Sequence, residues 1–115
     1  MLFSKKARAG KITNREQTAR KIHNSGSNCS YAVFSAFSDI ATGSAPAPRS
    51  EGGKCGAVLS AEKVLQQQGM EIEGFDAEFM EQYGSLKCGE LRKARYSCND
   101  LVGTAAKFVG EMIDK

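Results

Sequence analysis

The sequence predicts an all-α domain, on three observations. Apolar residues recur at the spacing of one helix face in several separate stretches. Segments rich in Gly, Ser and Pro punctuate those stretches. Ala, Glu, Lys, Gln and Met outweigh the β-branched residues that favour strands. At 115 residues, with 41% hydrophobic and 25% charged, the chain is long enough to bury one core and too short for two. A single small bundle of about five helices is expected.

Residues 1–12 read as a disordered basic arm, and residues 13–115 as the helical domain. The first helix is expected from Thr13 or Asn14, both good N-caps, to about His23, with Ile12, Ala19 and Ile22 as a thin apolar stripe. Asn24-Ser25-Gly26-Ser27-Asn28 forms a turn that ends it and caps the next. The second helix opens on Cys29 and runs to about Ala41, with Val33, Ala36, Phe37 and Ile40 at 4, 7, 8 and 11 positions from the cysteine. Residues 42–53, TGSAPAPRSEGG, hold both prolines of the chain and make a long loop.

A third helix starts at Lys54 or Cys55 and stops at Gly69, with Val58, Leu59 and Leu65 in phase with Cys55 and Glu62 interrupting the stripe. Met70 to Gly74 connects it to a fourth, Phe75 to Tyr83, which presents Phe75, Phe79, Met80 and Tyr83. Gly84-Ser85 breaks that helix. Cys88 is followed in phase only by Leu91 and then by Arg92, Lys93 and Arg95, so its helix is short or irregular. The last helix is the clearest: Leu101, Val102, Ala105, Ala106, Val109, Met112 and Ile113 follow Cys98 at 3, 4, 7, 8, 11, 14 and 15 positions.

Cys29, Cys55, Cys88 and Cys98 thus each stand at a helix start, in phase with an apolar face. The first turn of a helix offers unpaired amide donors, which favour the thiolate, and the thiolate is both nucleophile and metal ligand. No apolar leader and no membrane-length stretch occur in the sequence, so a cytoplasmic protein with no membrane partner is expected. In a reducing compartment four cysteines point to metal binding or transient redox chemistry rather than to permanent disulfides.

Residues 1–23 carry a net charge of +6 against +3 for the whole chain, which leaves −3 on residues 24–115. The basic arm lacks the aromatic platforms of a single-strand binder, so no nucleic-acid partner is expected. The Gly52-Gly53 and Gly56 positions around Cys55 match neither the Walker nor the dinucleotide fingerprint. His23, the one histidine, reads as a surface helix residue, and Glu71, Glu73, Asp76, Glu78 and Glu81 as a solvated acidic face able to meet a basic electron-transfer partner.

The cysteines are 26, 33 and 10 positions apart, which is not the paired spacing of a zinc finger. That spacing suits a site assembled in three dimensions where helix starts converge. Four such thiolates could hold an iron–sulfur cluster of the [2Fe–2S] or [4Fe–4S] kind, could hold zinc, or could form two reversible disulfides in any of three pairings.

The chain resembles the redox-active protein family named for its C-GCAxxG-C-C motif, which is related to the N-terminal region of split-Soret cytochromes. The resemblance rests on Gly26-Ser27-Asn28-Cys29-Ser30, on Gly53-Lys54-Cys55-Gly56-Ala57, on residues 83–91 around Cys88, and on Cys98 at the head of the last helix. Together these pieces span residues from about 16 to 113. The chain departs from the motif at Lys54, where the family has glycine, and at Gly56-Ala57 and Ser60. The resemblance implies a small helical domain whose cysteines bind an iron–sulfur cluster or act as redox thiols.

The expected function is therefore that of a redox-active protein in which Cys29, Cys55, Cys88 and Cys98 converge on a metal centre. That centre is an iron–sulfur cluster, with zinc as the alternative cofactor, used in electron transfer with a redox protein partner. A thiol–disulfide oxidoreductase and a structural zinc module are the other readings, and the spacing is also compatible with a dimer that shares ligands.

Overall fold

The computed structural model describes residues 15–47 and 53–113. The described chain is helical, with no strand: α1 over residues 15–24, α2 Cys29–Ser35, α3 Gly56–Gln67, α4 Glu73–Tyr83, α5 Cys88–Lys93 and α6 Cys98–Ile113. The small all-α domain predicted by the periodicity is thus the one observed. The basic arm, the start at Thr13 or Asn14 and residues 48–52 of the long loop lie outside the described residues. No helix among those described is long and apolar enough to cross a membrane.

Helices α2, α3 and α6 pack against one another around the core. Val33 and Phe37, Val58, Val64 and Leu65, and Val102 and Val109 are all fully buried there. The Ser60 hydroxyl of α3 donates to the Ser30 carbonyl of α2 at 2.6 Å, a buried bond that fixes the height of one helix against the other. Helix α2 is shorter than the periodicity predicts, ending at Ser35 and not near Ala41. Beyond it the amides of Phe37, Ser38 and Ile40 bond to the carbonyls three residues back, at 3.0, 3.1 and 2.9 Å. Such tight turns keep Phe37 in the core while the backbone leaves the α-helical path.

Helix α1 is tied on by two arginines. Arg15 donates to the Ala36 carbonyl and pairs with Asp39, both at 3.0 Å, with its guanidinium over the Phe37 ring. Arg20 bridges Glu16 and Asp100 and also reaches the Asn99 carbonyl at the start of α6. Gly103 lets it lie flat, because a Cβ there would overlap the guanidinium. Helix α4 is held by an aromatic ladder: Phe75 and Phe79 stack at 5.7 Å, Phe79 and Tyr83 at 4.8 Å, and Tyr83 meets Tyr96 edge-on at 4.7 Å. Gly84 ends it in the left-handed conformation, at φ 81°.

Glu62 occupies the apolar face of α3 because it is paired there. Its carboxylate accepts from Lys54 Nζ at 2.7 Å and acts on the Asp76 carboxyl of α4. Of the acidic residues around α4, Glu71, Glu73, Glu78 and Glu81 are exposed as a solvated face requires, whereas Asp76 is half-buried and its Oδ1 has no hydrogen-bond partner. Burial first, then the neighbouring Glu62 carboxylate, raise the Asp76 carboxyl to about 7, against the opposing pull of Lys54.

An acid whose folded pKa is raised favours folding while it is neutral. Its contribution is therefore largest below the ordinary carboxylate range and declines as pH rises to about 7. Asp76→Asn should accordingly stabilise the protein at pH 8 by about 1–2 kcal/mol, a figure reduced for solvent screening at this half-exposed group, and should lose that advantage at pH 4. Urea unfolding of both proteins at the two pH values is the measurement. A gain of equal size at both would remove the carboxyl pair as its cause.

Candidate redox site

Each cysteine is placed by a local device that the sequence specifies. Asn28 caps α2, its side chain accepting from the Tyr31 amide at 2.8 Å, and so sets Cys29 as the first helical residue. Cys55 is itself the N-cap of α3, in extended conformation. Ser85 accepts from the Lys87 amide at 2.9 Å and donates to Glu90, forming the turn that opens α5 at Cys88. Ser97 accepts from the Asp100 amide at 3.1 Å and opens α6 at Cys98.

Two longer-range features draw these starts together. Lys54 and Lys87 form an isolated antiparallel bridge: the Cys55 amide donates to the Leu86 carbonyl at 2.9 Å and the Cys88 amide to that of Gly53 at 2.7 Å. Gly53 supplies that carbonyl at φ 84°, a conformation that favours glycine. The second feature is Arg95, whose left-handed backbone at φ 69° turns the chain back between α5 and α6.

All four cysteines line one pocket of about 570 Å³, together with His23, Asn28, Arg92 and Leu101. The four helix starts therefore face one pocket. All four are free thiols. Cys55 lies deepest, at 4% exposure, while Cys29, Cys88 and Cys98 are half-buried. The apolar phase alone ranks Cys98 and Cys29 as the most inward. The order differs because Cys55, the N-cap of α3, is also held through its amide in the Lys54–Lys87 bridge.

Cys29 and Cys55 act on each other's ionisation, with the Cys55 thiol as the donor side. The Cys55 thiol is the largest influence lowering Cys29 to about 6, against burial, and the backbone amides of Ala57, Ser30 and Gly56 add to it. Cys55 is pushed strongly upward by Cys29 and by burial, so it is the proton-bearing partner. The pair is thus a thiolate supported by donors beside a buried thiol, and Gly56 and Ala57 supply two of those donors.

The donor set suits a soft metal or an iron–sulfur cluster: four thiols, with amides able to stabilise anionic sulfur. A single zinc ion, with Zn–S bonds of about 2.3 Å, needs its ligand sulfurs about 3.8 Å apart. Among the described residues no three His, Cys, Asp or Glu side chains are gathered closely enough to hold one ion.

Sequence reasoning misses two pocket residues. His23, read as a surface residue, is half-buried in the pocket wall, and its Nδ1 is buried without a hydrogen-bond partner. Arg92 reads only as part of a charged stretch. The sole sequence signal for His23 is its neighbour Ile22, on the inward stripe of α1. No family model, no curated protein and no solved structure matches this chain.

Proposed function

We propose that this chain is a redox-active thiol protein whose working couple is Cys29 and Cys55. One observation carries the reading: Cys29 and Cys55 line the same pocket, one half-buried and the other buried, with the backbone amides of Ser30, Gly56 and Ala57 turned to the Cys29 sulfur. Their asymmetry matches the two roles of a dithiol reductant. Half-buried Cys29 is the attacking thiolate, and buried, protonated Cys55 is the resolving thiol.

In the step itself, the Cys29 thiolate attacks one sulfur of a partner's disulfide, and the other partner sulfur leaves as thiolate. Cys55 then attacks Cys29 in the mixed disulfide and expels the second partner thiol, which takes the Cys55 proton. A Cys29–Cys55 disulfide forms, and two electrons have passed to the partner. A redox protein whose surface is basic would find the exposed Glu71, Glu73, Glu78 and Glu81 complementary.

A second reading is favoured by the other half of the same geometry, the presence of Cys88 and Cys98 in the pocket. Cys29, Cys55, Cys88 and Cys98 would then hold an iron–sulfur cluster, which when bound supplies one-electron transfer. The amides of Ser30, Gly56 and Ala57 would stabilise the anionic sulfur of Cys29 in that state too.

Anaerobic purification with iron and sulfide analysis, followed by thiol titration, separates the two. Metal-free protein that loses two thiols per chain on mild oxidation and regains them with dithiothreitol supports the couple. Stoichiometric iron and sulfide that disappear in a Cys98→Ser variant support the cluster and overturn the couple as the working centre.

A further inference from the structure

The thiol couple leaves part of its pocket unexplained. About 570 Å³ is the size of a small-molecule site and far exceeds the room that four thiols need. Arg92 forms the pocket wall from α5, and its guanidinium makes no ion pair or hydrogen bond among the described residues. Two arginines of the fold are engaged, Arg15 with Asp39 and Arg20 with Glu16 and Asp100, whereas among the described residues Arg92 and Arg95 are not. His23 adds a buried ring nitrogen with no partner in the protein.

An unpaired guanidinium lining the same pocket as the Cys29 sulfur has the chemistry of a carboxylate clamp, since its planar fork matches a carboxylate in two parallel bonds. We infer that the pocket receives a small disulfide bearing carboxylates, with Arg92 pairing to a carboxylate and so presenting the S–S bond to Cys29. This inference rests on the reading of Cys29 and Cys55 as the couple. Attack by Cys29 forms a mixed disulfide with one half of the ligand and releases the other half as thiolate. Cys55 then forms the internal disulfide and releases the second half as thiol, so the two electrons lost by the cysteines reduce the ligand.

The test uses the full chain carrying Cys55→Ser, which stops the reaction at the mixed disulfide and keeps a hydroxyl donor beside Cys29. Two probes are compared by mass spectrometry of the adduct on Cys29: glutathione disulfide, which bears carboxylates, and 2-hydroxyethyl disulfide, which is neutral. Glutathione disulfide should react faster, and adding Arg92→Ala should lower the ratio of the two rate constants by about tenfold or more, the scale of a charge-assisted bidentate contact. Arg92→Lys should restore part of that ratio. Because both probes meet the same thiolate, the ratio is insensitive to any change in Cys29 itself. A ratio unchanged by Arg92→Ala overturns the ligand inference and leaves the couple standing. Failure of both probes to modify Cys29 overturns the couple, and the inference with it.

Discussion

Replacing Cys29 with serine removes a fast thiol that titrates with a midpoint near pH 6. In the unmodified protein, alkylation by iodoacetamide should contain one phase per chain that rises through pH 6 and is nearly flat from 7 to 8, because the thiolate is already formed. A thiolate of lower pKa is also intrinsically less nucleophilic, which offsets part of its larger population. At pH 6.5 the net advantage over an ordinary cysteine is roughly fivefold.

Cys29→Ser abolishes this phase. Cys55→Ala, which removes the thiol donor, moves its midpoint upward, since the Cys55 thiol is the largest influence holding Cys29 down. Rates measured across pH 5–9 with peptide mapping of the label decide the matter. A profile for Cys29 that is the same with and without Cys55 would remove the Cys55 thiol as the source of its reactivity.

The largest loss of stability is expected at Phe75. Its ring is fully buried, 5.7 Å from Phe79 and 6.4 Å edge-on from Phe108 of α6, and it anchors α4 to the bundle. Phe75→Ala removes the buried ring and leaves a cavity, at a cost of about 3–5 kcal/mol. For a domain of this size the melting temperature should fall by about 10 °C or more. Helix α4 contributes nothing to the lining of the cysteine pocket, so the Cys29 alkylation midpoint should stay near 6 while the protein remains folded. Thermal melts and alkylation of the same sample read both. A loss below 1 kcal/mol would mean that α4 is not anchored through Phe75.

The cysteine pocket was legible in the sequence to the extent that it depends on local rules. Helix starts at Cys29 and Cys98 follow from the apolar phase behind each thiol, and at Cys29 also from the Asn28 cap. The stripe after Cys98 is buried from Leu101 to Val109 as its periodicity requires. What sequence could not supply is nonlocal. The pairing of Lys54 with Lys87 joins backbone across 33 positions, and it is this bridge that makes Cys55 deepest and sets Cys88 beside it.

Glu62 illustrates the same limit. Its position on the apolar face looks like an interruption until Lys54 and Asp76 are brought to it. Ser35 ends α2 early because three-residue bonds replace four-residue bonds, a change that apolar spacing does not report. His23 and Arg92 carry no pattern of their own, and only the closure of α1 and α5 over the thiols gives them a place.

The most direct measurement is disulfide mapping of the anaerobically purified protein after brief oxidation in a glutathione redox buffer. The expected product is a single Cys29–Cys55 link, with Cys88 and Cys98 still open to alkylation and full reversal by dithiothreitol. A link between any other pair, or stoichiometric iron whose loss must precede any oxidation of Cys29, would contradict the couple.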